Sequence, residues 1–356
     1  MDFSKAPFLV IWEVTRACAL ECQHCRAEAI DKRNPFELNL EEGYRLIDEV
    51  AQMGTPIIIF TGGDPLQRDD LEQLVWHAKS RKLRVGTIPA STDRLTRERI
   101  LSLKEAGLDQ IALSLDGETQ EKHDQFRQVD GSFRKVMQGV QWAHEIGMPL
   151  QINTVFGSWN FDDFDAIADL VDQMKVVFWE VFFLVPTGRG TQLKGCTPEQ
   201  CEEIFKKIYQ RSLHVQYLIK ITEGQHYRRY LKQVEEAGGT VKSHPGHVSK
   251  SGSRIGTSTM VVNSGKGFCF VDHLGDISPS GFLPLVAGNV KKDSITDIYR
   301  NSNLFMALRD MSLLKGRCGR CEYKEICGGS RARAFALTGD YLEEDASCGY
   351  MPQLKA

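Results

Sequence analysis

The sequence predicts an α/β protein whose parallel sheet curls into an open, partial barrel. Three observations carry this. Six short runs of β-branched and apolar residues recur over the first half of the chain. Longer amphipathic stretches separate them, and no internal repeat or low-complexity tail breaks the series. Strands that alternate with helices pair in parallel through right-handed crossovers. Six strand–helix units are too few for a closed eight-stranded barrel. An open barrel with its site at the C-terminal strand ends is the natural form.

The predicted strands are Phe8–Val14, Pro56–Phe60, Arg84–Ile88, Gln110–Leu115, Leu150–Phe156 and Phe178–Leu184. The helix over Leu40–Met53 places Tyr44, Ile47, Val50 and Ala51 on one face. Arg68–Arg81, Leu95–Ala106, Ser132–Ile146 and Asp162–Met174 read the same way. Thr197 and Pro198 supply an N-cap and a first-turn proline for a helix through Arg211. The stretch ITEGQHYRRYLKQVEEAGG follows as a further helix. SHPGHVSKSGSRIGTST, residues 243–259, is rich in Gly, Ser and His and is expected to be a flexible lid loop. From Met260 the chain changes to short strands, turns and cysteines. The expected division is therefore a core over 1–190, a helical linker with the lid loop over 191–259, and a small Cys-rich domain over 260–356.

With 42% hydrophobic and 26% charged residues, the composition is that of a soluble globular protein. A net charge of -3 gives no general attraction to nucleic acid or anionic membrane, so neither is an expected partner. The N-terminal run MDFSKAPFLVIWEV lacks a basic region and a cleavage site, so no signal peptide is expected. A cytoplasmic protein is expected. Ten cysteines in a reducing compartment point to metal instead of disulfides.

Three of these, Cys18, Cys22 and Cys25, form C-x3-C-x2-C directly after the first strand. Three thiolates can hold three irons of a cubane cluster and leave one iron open to a small chelating molecule. A structural zinc site is the alternative, although it closes with four ligands. His24 lies inside the tight loop, badly placed to be the fourth. Reduced, unliganded thiols are a third possibility. TGGDPL, residues 61–66, follows the second strand, where two glycines let backbone approach a ligand and leave N–H and C=O groups free. The motif alone is also an ordinary turn. Neighbouring parallel strands would present both motifs at one rim.

CALECQHC after the first strand, with GGDP after the second, resembles the radical S-adenosylmethionine (SAM) superfamily. The resemblance covers a core of roughly residues 8–190. It implies a partial (β/α)6 TIM-like barrel and a 4Fe–4S cluster whose open iron binds SAM. Reductive cleavage of SAM then yields a 5′-deoxyadenosyl radical that abstracts hydrogen from substrate. Carried over position by position, Cys18, Cys22 and Cys25 would ligate the cluster, and His24 would lie near the adenine. Gly62, Gly63, Asp64 and Pro65 would face the methionine end of SAM, with Asp64 where the family usually has Glu. Ser114 and Asp116 in ALSLDG, Arg127 in HDQFRQVDGSF and Asn153 in QINTVF resemble further SAM contacts. For these four the plain alternative is a polar residue at a surface or strand end.

GRCGRCEYKEICGGSRARAFALTGDYLEEDASC places Cys318, Cys321, Cys327 and Cys348 together. Four thiolates close a zinc site or a 4Fe–4S cluster equally well. The region resembles a twitch or SPASM extension, which implies an auxiliary 4Fe–4S cluster. Ser280 and Ser330 stand where some relatives have cysteine, so one auxiliary cluster is expected instead of two. Cys269 is a possible further ligand; Cys196 and Cys201 read as packing thiols.

GFLPLVAGNV and CGGSRARAFALTGDYL resemble radical SAM enzymes of the alternative heme and heme d1 pathways. This implies oxidative decarboxylation of an iron-porphyrin carboxylate, with a flavodoxin- or ferredoxin-type electron donor. Carboxylates favour arginine forks. His226, Arg228 and Arg229 in EGQHYRRY, and Arg331 and Arg333 in SRARA, are candidate substrate contacts. The alternatives are a solvated helix face for the first group and a frame for the auxiliary cluster for the second. His226, His244, His247 or His273 could ligate a heme iron. Two other functions stay open. A SPASM-type peptide or protein maturase is one, weakened because seven residues before the first strand leave no leader-binding domain. A non-catalytic iron–sulfur carrier or zinc scaffold is the other.

Overall fold

The computed structural model describes residues 1–241 and 261–353. The lid loop predicted over 243–259, with His244 and His247, lies outside the described residues. The barrel half alternates β1 (Leu9–Glu13), α1 (Leu40–Gln52), β2 (Ile57–Thr61), α2 (Leu71–Ser80), β3 (Arg84–Thr87), α3 (Arg97–Glu105) and β4 (Gln110–Ser114). It continues through α4 (Gln120–Arg127), α5 (Ser132–Ile146), β5 (Leu150–Phe156), α6 (Phe164–Gln173), β6 (Phe178–Phe183), α7 (Pro198–Ser212), β7 (Leu218–Thr222) and α8 (Tyr227–Glu236). The remainder holds β8 (Phe268–Val271), β9 (Asp276–Ser278), β10 (Gly288–Asn289), α9 (Ile295–Asn301), α10 (Asn303–Arg309), α11 (Gly316–Arg320) and α12 (Arg331–Thr338).

All ten strands join one sheet in the order β10-β9-β8-β1-β2-β3-β4-β5-β6-β7. β1 to β6 run parallel in sequence order, as the alternating pattern predicts, and β7 adds a seventh parallel strand beside β6. β8 adds to the free edge of β1, also parallel, with Cys269 opposite Val10. The sheet therefore crosses position 260. β7 and β8 are not paired, so the barrel stays open.

Two elements differ from the sequence reading. Ile221 and Thr222, read as the start of a helix, end the seventh strand instead. LIKIT alternates with period two, Glu223 turns the chain with a left-handed φ of 57°, and the helix begins only at Tyr227. The short helix α4 went unread because its sequence, QEKHDQFR, has little apolar periodicity.

Helix ends follow local chemistry. Asn39 and Glu42 form a capping box on α1, and Thr197 and Gln200 form one on α7 with Pro198 in the first turn. The core lies between sheet and helices. Trp12, fully buried, sits so close under α1 that a Cβ on Gly43 would meet its ring at 2.7 Å. Phe156, Phe164 and Trp179 form a second aromatic cluster, with Phe164 5.2 and 5.6 Å from its partners. Phe164→Ala should lower stability by roughly 3–5 kcal/mol through cavity formation, read as the shift in the urea unfolding midpoint under anaerobic conditions.

Candidate functional site

The first site grows from the end of β1. The chain leaves the strand, loops through the three cysteines and returns beside itself. Cys18 N–H donates to Ile30 O at 2.8 Å, and Ile30 N–H donates to Arg16 O at 3.1 Å. Arg16 donates to the Ala27 carbonyl inside the loop. From outside, Arg189 holds the loop through the Cys22 and Cys25 carbonyls at 3.0 and 3.1 Å. Burial pushes the Cys18 thiol up to about 12 and raises Cys22 as well. Buried thiols of this kind stay protonated unless a positive charge stabilises the thiolate. Arg127 Nη1 already points at Cys22 Sγ, 3.5 Å away.

The glycine motif does something other than the sequence implied. The N–H groups of Gly63 and Asp64 are not free: they donate to Thr15 O and Ala17 O at 2.8 and 2.7 Å. A Cβ on Gly62 would lie 2.4 Å from Thr15 O, and one on Gly63 would lie 2.5 Å from the Arg16 and Ala17 carbonyls. The glycines let two strand-end loops touch. Asp64 points away from the rim. Its carboxylate accepts from Leu66 and Ala90 N–H at 3.1 and 3.3 Å and from Thr92 Oγ1 at 2.7 Å. Burial raises its pKa. Asp64 and Pro65 stand behind the cavity wall.

A cavity of about 230 Å³ opens at the rim. Cys18, Cys22, Cys25, His24, Gly62, Gly63, Ser114, Asp116, Arg127 and Asn153 all line it. Residues from β1, β2, β4 and β5 and the segments that follow them, up to 135 positions apart in the sequence (153 minus 18), thus meet around one space. Burial opposes ionisation of Asp116, yet the Arg127 guanidinium prevails and holds its carboxyl below the usual range. The pair is made through Arg127 Nε at 2.8 Å, and Asp116 also accepts from Val155 N–H at 2.8 Å. His24 stacks on Phe126 at 4.7 Å, and Phe126 stacks on Trp159 at 4.9 Å. Burial, with Arg127 nearby, drops the His24 pKa to about 3, so it remains a neutral flat ring.

Cys318, Cys321, Cys327 and Cys348 surround a smaller cavity of about 30 Å³. Burial pushes Cys327 up to about 12 and Cys348 to about 11. N–H groups point at their sulfurs: Asp345 and Arg331 at Cys318, 3.4 and 3.7 Å away, and Gly329 at Cys327, 3.4 Å away. Cys269 is fully buried within β8 and lines neither cavity.

The five candidate substrate residues separate. Arg331 donates to the Tyr341 and Glu343 carbonyls and frames Cys318. Arg333 pairs with Asp345 at 3.1 Å and ties the Leu184 and Glu223 carbonyls. Arg229 pairs with Glu202, lies over the Tyr350 ring at 5.2 Å and lines the small cavity. His226 is fully buried 3.8 Å from Asp345, and His273 is buried against Glu13 at 3.0 Å. Arg228 alone among the five lines a third cavity, of about 130 Å³, inside the barrel. Ile11, Ile88, Phe182, Phe268 and Phe282 wall both this space and the first cavity. These apolar residues carry no sequence motif, and the sequence reading missed them. Gly63→Ala should reduce the iron and sulfide retained after reconstitution, because backbone carbonyls cannot yield to a Cβ; elemental analysis checks this.

The family model described as "Radical SAM superfamily" matches residues 12–171. A Methanosarcina barkeri protein named AdoMet-dependent heme synthase is 37% identical over 355 residues, covering 99% of both chains. One of the same name from Oleidesulfovibrio alaskensis is 37% identical over 356 residues, covering 99% of this chain and 90% of its own. The crystal structure of Streptococcus suis SuiB bound to S-adenosylmethionine superposes with a TM-score of 0.73 at 15% identity, over 97% of this chain and 78% of that one. The last comparison speaks for the fold alone, while the full-length likeness of the first two settles membership. The chain belongs to the radical SAM superfamily and is an enzyme of that family.

Proposed function

We propose that this radical SAM enzyme decarboxylates an iron-porphyrin carboxylate in heme-type biosynthesis. The likeness over 99% of the chain to two proteins named AdoMet-dependent heme synthase carries the reading. The apolar wall shared by the two larger cavities supports it, because a porphyrin presents a broad apolar face. The electron-carrier and zinc-scaffold alternatives give way to the enzyme. Its substrate is a small molecule or a peptide, and the porphyrin is our choice between them.

Cys18, Cys22 and Cys25 would hold the 4Fe–4S cluster, and the cavity beside them would take SAM. That pair of cofactors supplies reductive cleavage to the 5′-deoxyadenosyl radical. The chain supplies placement. The His24–Phe126–Trp159 stack offers a flat neutral surface for the adenine. Arg127, held by Asp116, places positive charge beside Cys22 and the cavity. Asn153 takes a hydrogen bond from Gln151 at 2.6 Å, which leaves its amide N–H groups for the ribose. Phe182, Phe268 and Phe282 exclude water from the space between SAM and substrate. Cys318, Cys321, Cys327 and Cys348 would hold one auxiliary 4Fe–4S cluster, where the N–H groups aimed at sulfur stabilise negative charge. A flavodoxin- or ferredoxin-type protein would deliver electrons. We place the enzyme in the cytoplasm, a reducing compartment in which its ten cysteines stay available as ligands. Among the described residues no helix is long and apolar enough to cross a membrane.

The deciding experiment mixes reconstituted, reduced enzyme anaerobically with SAM and iron coproporphyrin III. Mass spectrometry should show porphyrin that has lost CO2 together with 5′-deoxyadenosine. 5′-Deoxyadenosine beside unchanged porphyrin would redirect the search to peptides. Cys22→Ala should abolish 5′-deoxyadenosine formation. Cys321→Ala should lose far more product than SAM cleavage, and equal losses would make the C-terminal centre purely structural.

A further inference from the structure

The barrel interior holds a second polar site. Four neighbouring strands, β4 to β7, turn Gln110, Gln151, Glu180, Lys220 and Thr222 toward the third cavity. Barrel interiors are normally filled with layers of branched apolar residues. Here the polar groups form a chain: Gln110 to Gln151 at 2.6 Å, Gln151 to Glu180 at 2.9 Å, and Glu180 to Lys220 and Thr222 at 3.0 and 2.5 Å. This floor satisfies itself. The wall beside it does not.

Among the described residues, three wall residues carry buried polar atoms without a hydrogen-bond partner: Arg228 Nη1, Ser264 Oγ and Gln225 Oε1. Buried polar groups are nearly always paired, so three orphans on one cavity need a reason. Among the described residues the Arg228 side chain makes one hydrogen bond, from Nη2 to Val262 O at 2.7 Å. Among the described residues no carboxylate lies within ion-pairing distance of it. Glu223 lines the same cavity, and its carboxylate accepts from Ser330 Oγ. The nearby arginines Arg127, Arg229 and Arg333 each have a carboxylate partner. Arg228 Nη1 is shut off from solvent with no oxygen among the described residues to receive its N–H, and such a donor is costly. Two of the orphans, Arg228 Nη1–H and Ser264 Oγ–H, are donors, the pairing that a carboxylate completes.

The wall is also thin. Gln225 donates to Asn263 at 3.2 Å, and Asn263 donates to Gly329 O at 2.9 Å. Gly329 in turn lines the C-terminal cysteine cavity. On the other side, Phe182 and Phe282 separate Arg228's cavity from the N-terminal cysteines.

We propose that Arg228 and Ser264 form a carboxylate subsite. It anchors a carboxylate of the substrate other than the one whose side chain meets the radical. This inference rests on the porphyrin-carboxylate reading above. Arg228 is thus a substrate-positioning residue: it fixes the far edge of the ring against the wall shared with the C-terminal cysteines and turns the reacting edge toward the SAM cavity.

The test titrates reconstituted enzyme with iron coproporphyrin III and with its tetramethyl ester, following the Soret band. The unaltered enzyme should bind the acid at least about tenfold more tightly than the ester. Arg228→Gln should bind the acid roughly 10- to 100-fold more weakly, the range for a buried charge-assisted pair, and should no longer prefer acid over ester. Arg228→Gln binding the acid within twofold of the unaltered enzyme would overturn the subsite and leave the porphyrin reading intact. Failure of the unaltered enzyme to bind either porphyrin would overturn both. If Arg228→Gln does not fold, Arg228→Lys and Ser264→Ala decide. Each should weaken acid binding several-fold while leaving ester binding unchanged, and unchanged acid affinity in both would overturn the subsite.

Discussion

The architecture depends on β1 being hydrogen-bonded along both edges. One edge takes β2, with Leu9 opposite Ile57, and the other takes β8, with Leu9 opposite Phe268. The strand that ends in the cysteine loop is thereby locked between the strand that ends in the glycines and the first strand of the Cys-rich part. Main-chain bonds and not side chains set the spacing, so the loops at the strand ends inherit a fixed separation. The bonds from Gly63 and Asp64 to Thr15 and Ala17 extend the ladder past the end of β1. Ionic links add to it across the β8 edge: Arg26 pairs with Glu13 at 2.9 Å and lies over Phe270 at 4.5 Å.

Much of this was legible in the sequence because it is local. Strand runs, helix periodicity and capping residues depend on a few neighbours, and C-x3-C-x2-C is itself a local spacing. The roles of GGDP were only half legible. Glycine announces close approach, but its sequence does not say whether a ligand or a neighbouring loop is approached. Asp64 looks like a rim residue and is an internal strut. The arginines show the limit most clearly. Arg228 and Arg229 are adjacent, yet one helical step turns them about 100° apart, so one enters the barrel cavity and the other meets Glu202. Nothing in RR distinguishes them. The aromatic wall was unreadable for a related reason: Phe182, Phe268 and Phe282 are brought together only by the curl of the sheet and the late addition of β8.

The two cysteine centres differ in how the chain holds them. The first lies in one 16–30 loop, braced by Arg16 within and Arg189 from outside. The second is assembled from residues 318–348, with Arg331 and Asp345 contacting the same sulfur. The pair Arg333–Asp345 reaches from this second centre to the carbonyls at the end of β6, so a barrel strand and the cluster wall share one buried ion pair.

The missing pairing between β7 and β8 has a mechanical consequence. A closed barrel has a fixed girth, since widening it breaks rungs of backbone hydrogen bonds. Here the circumference has a seam, and among the described residues it is bridged by side-chain hydrogen bonds, Arg228 to Val262 O and Gln225 to Asn263, instead of a backbone ladder. Parting that seam would break these few side-chain hydrogen bonds and spare the ladder. The girth of this barrel is therefore held at one point by side chains, where a sealed cylinder would be held by main chain throughout.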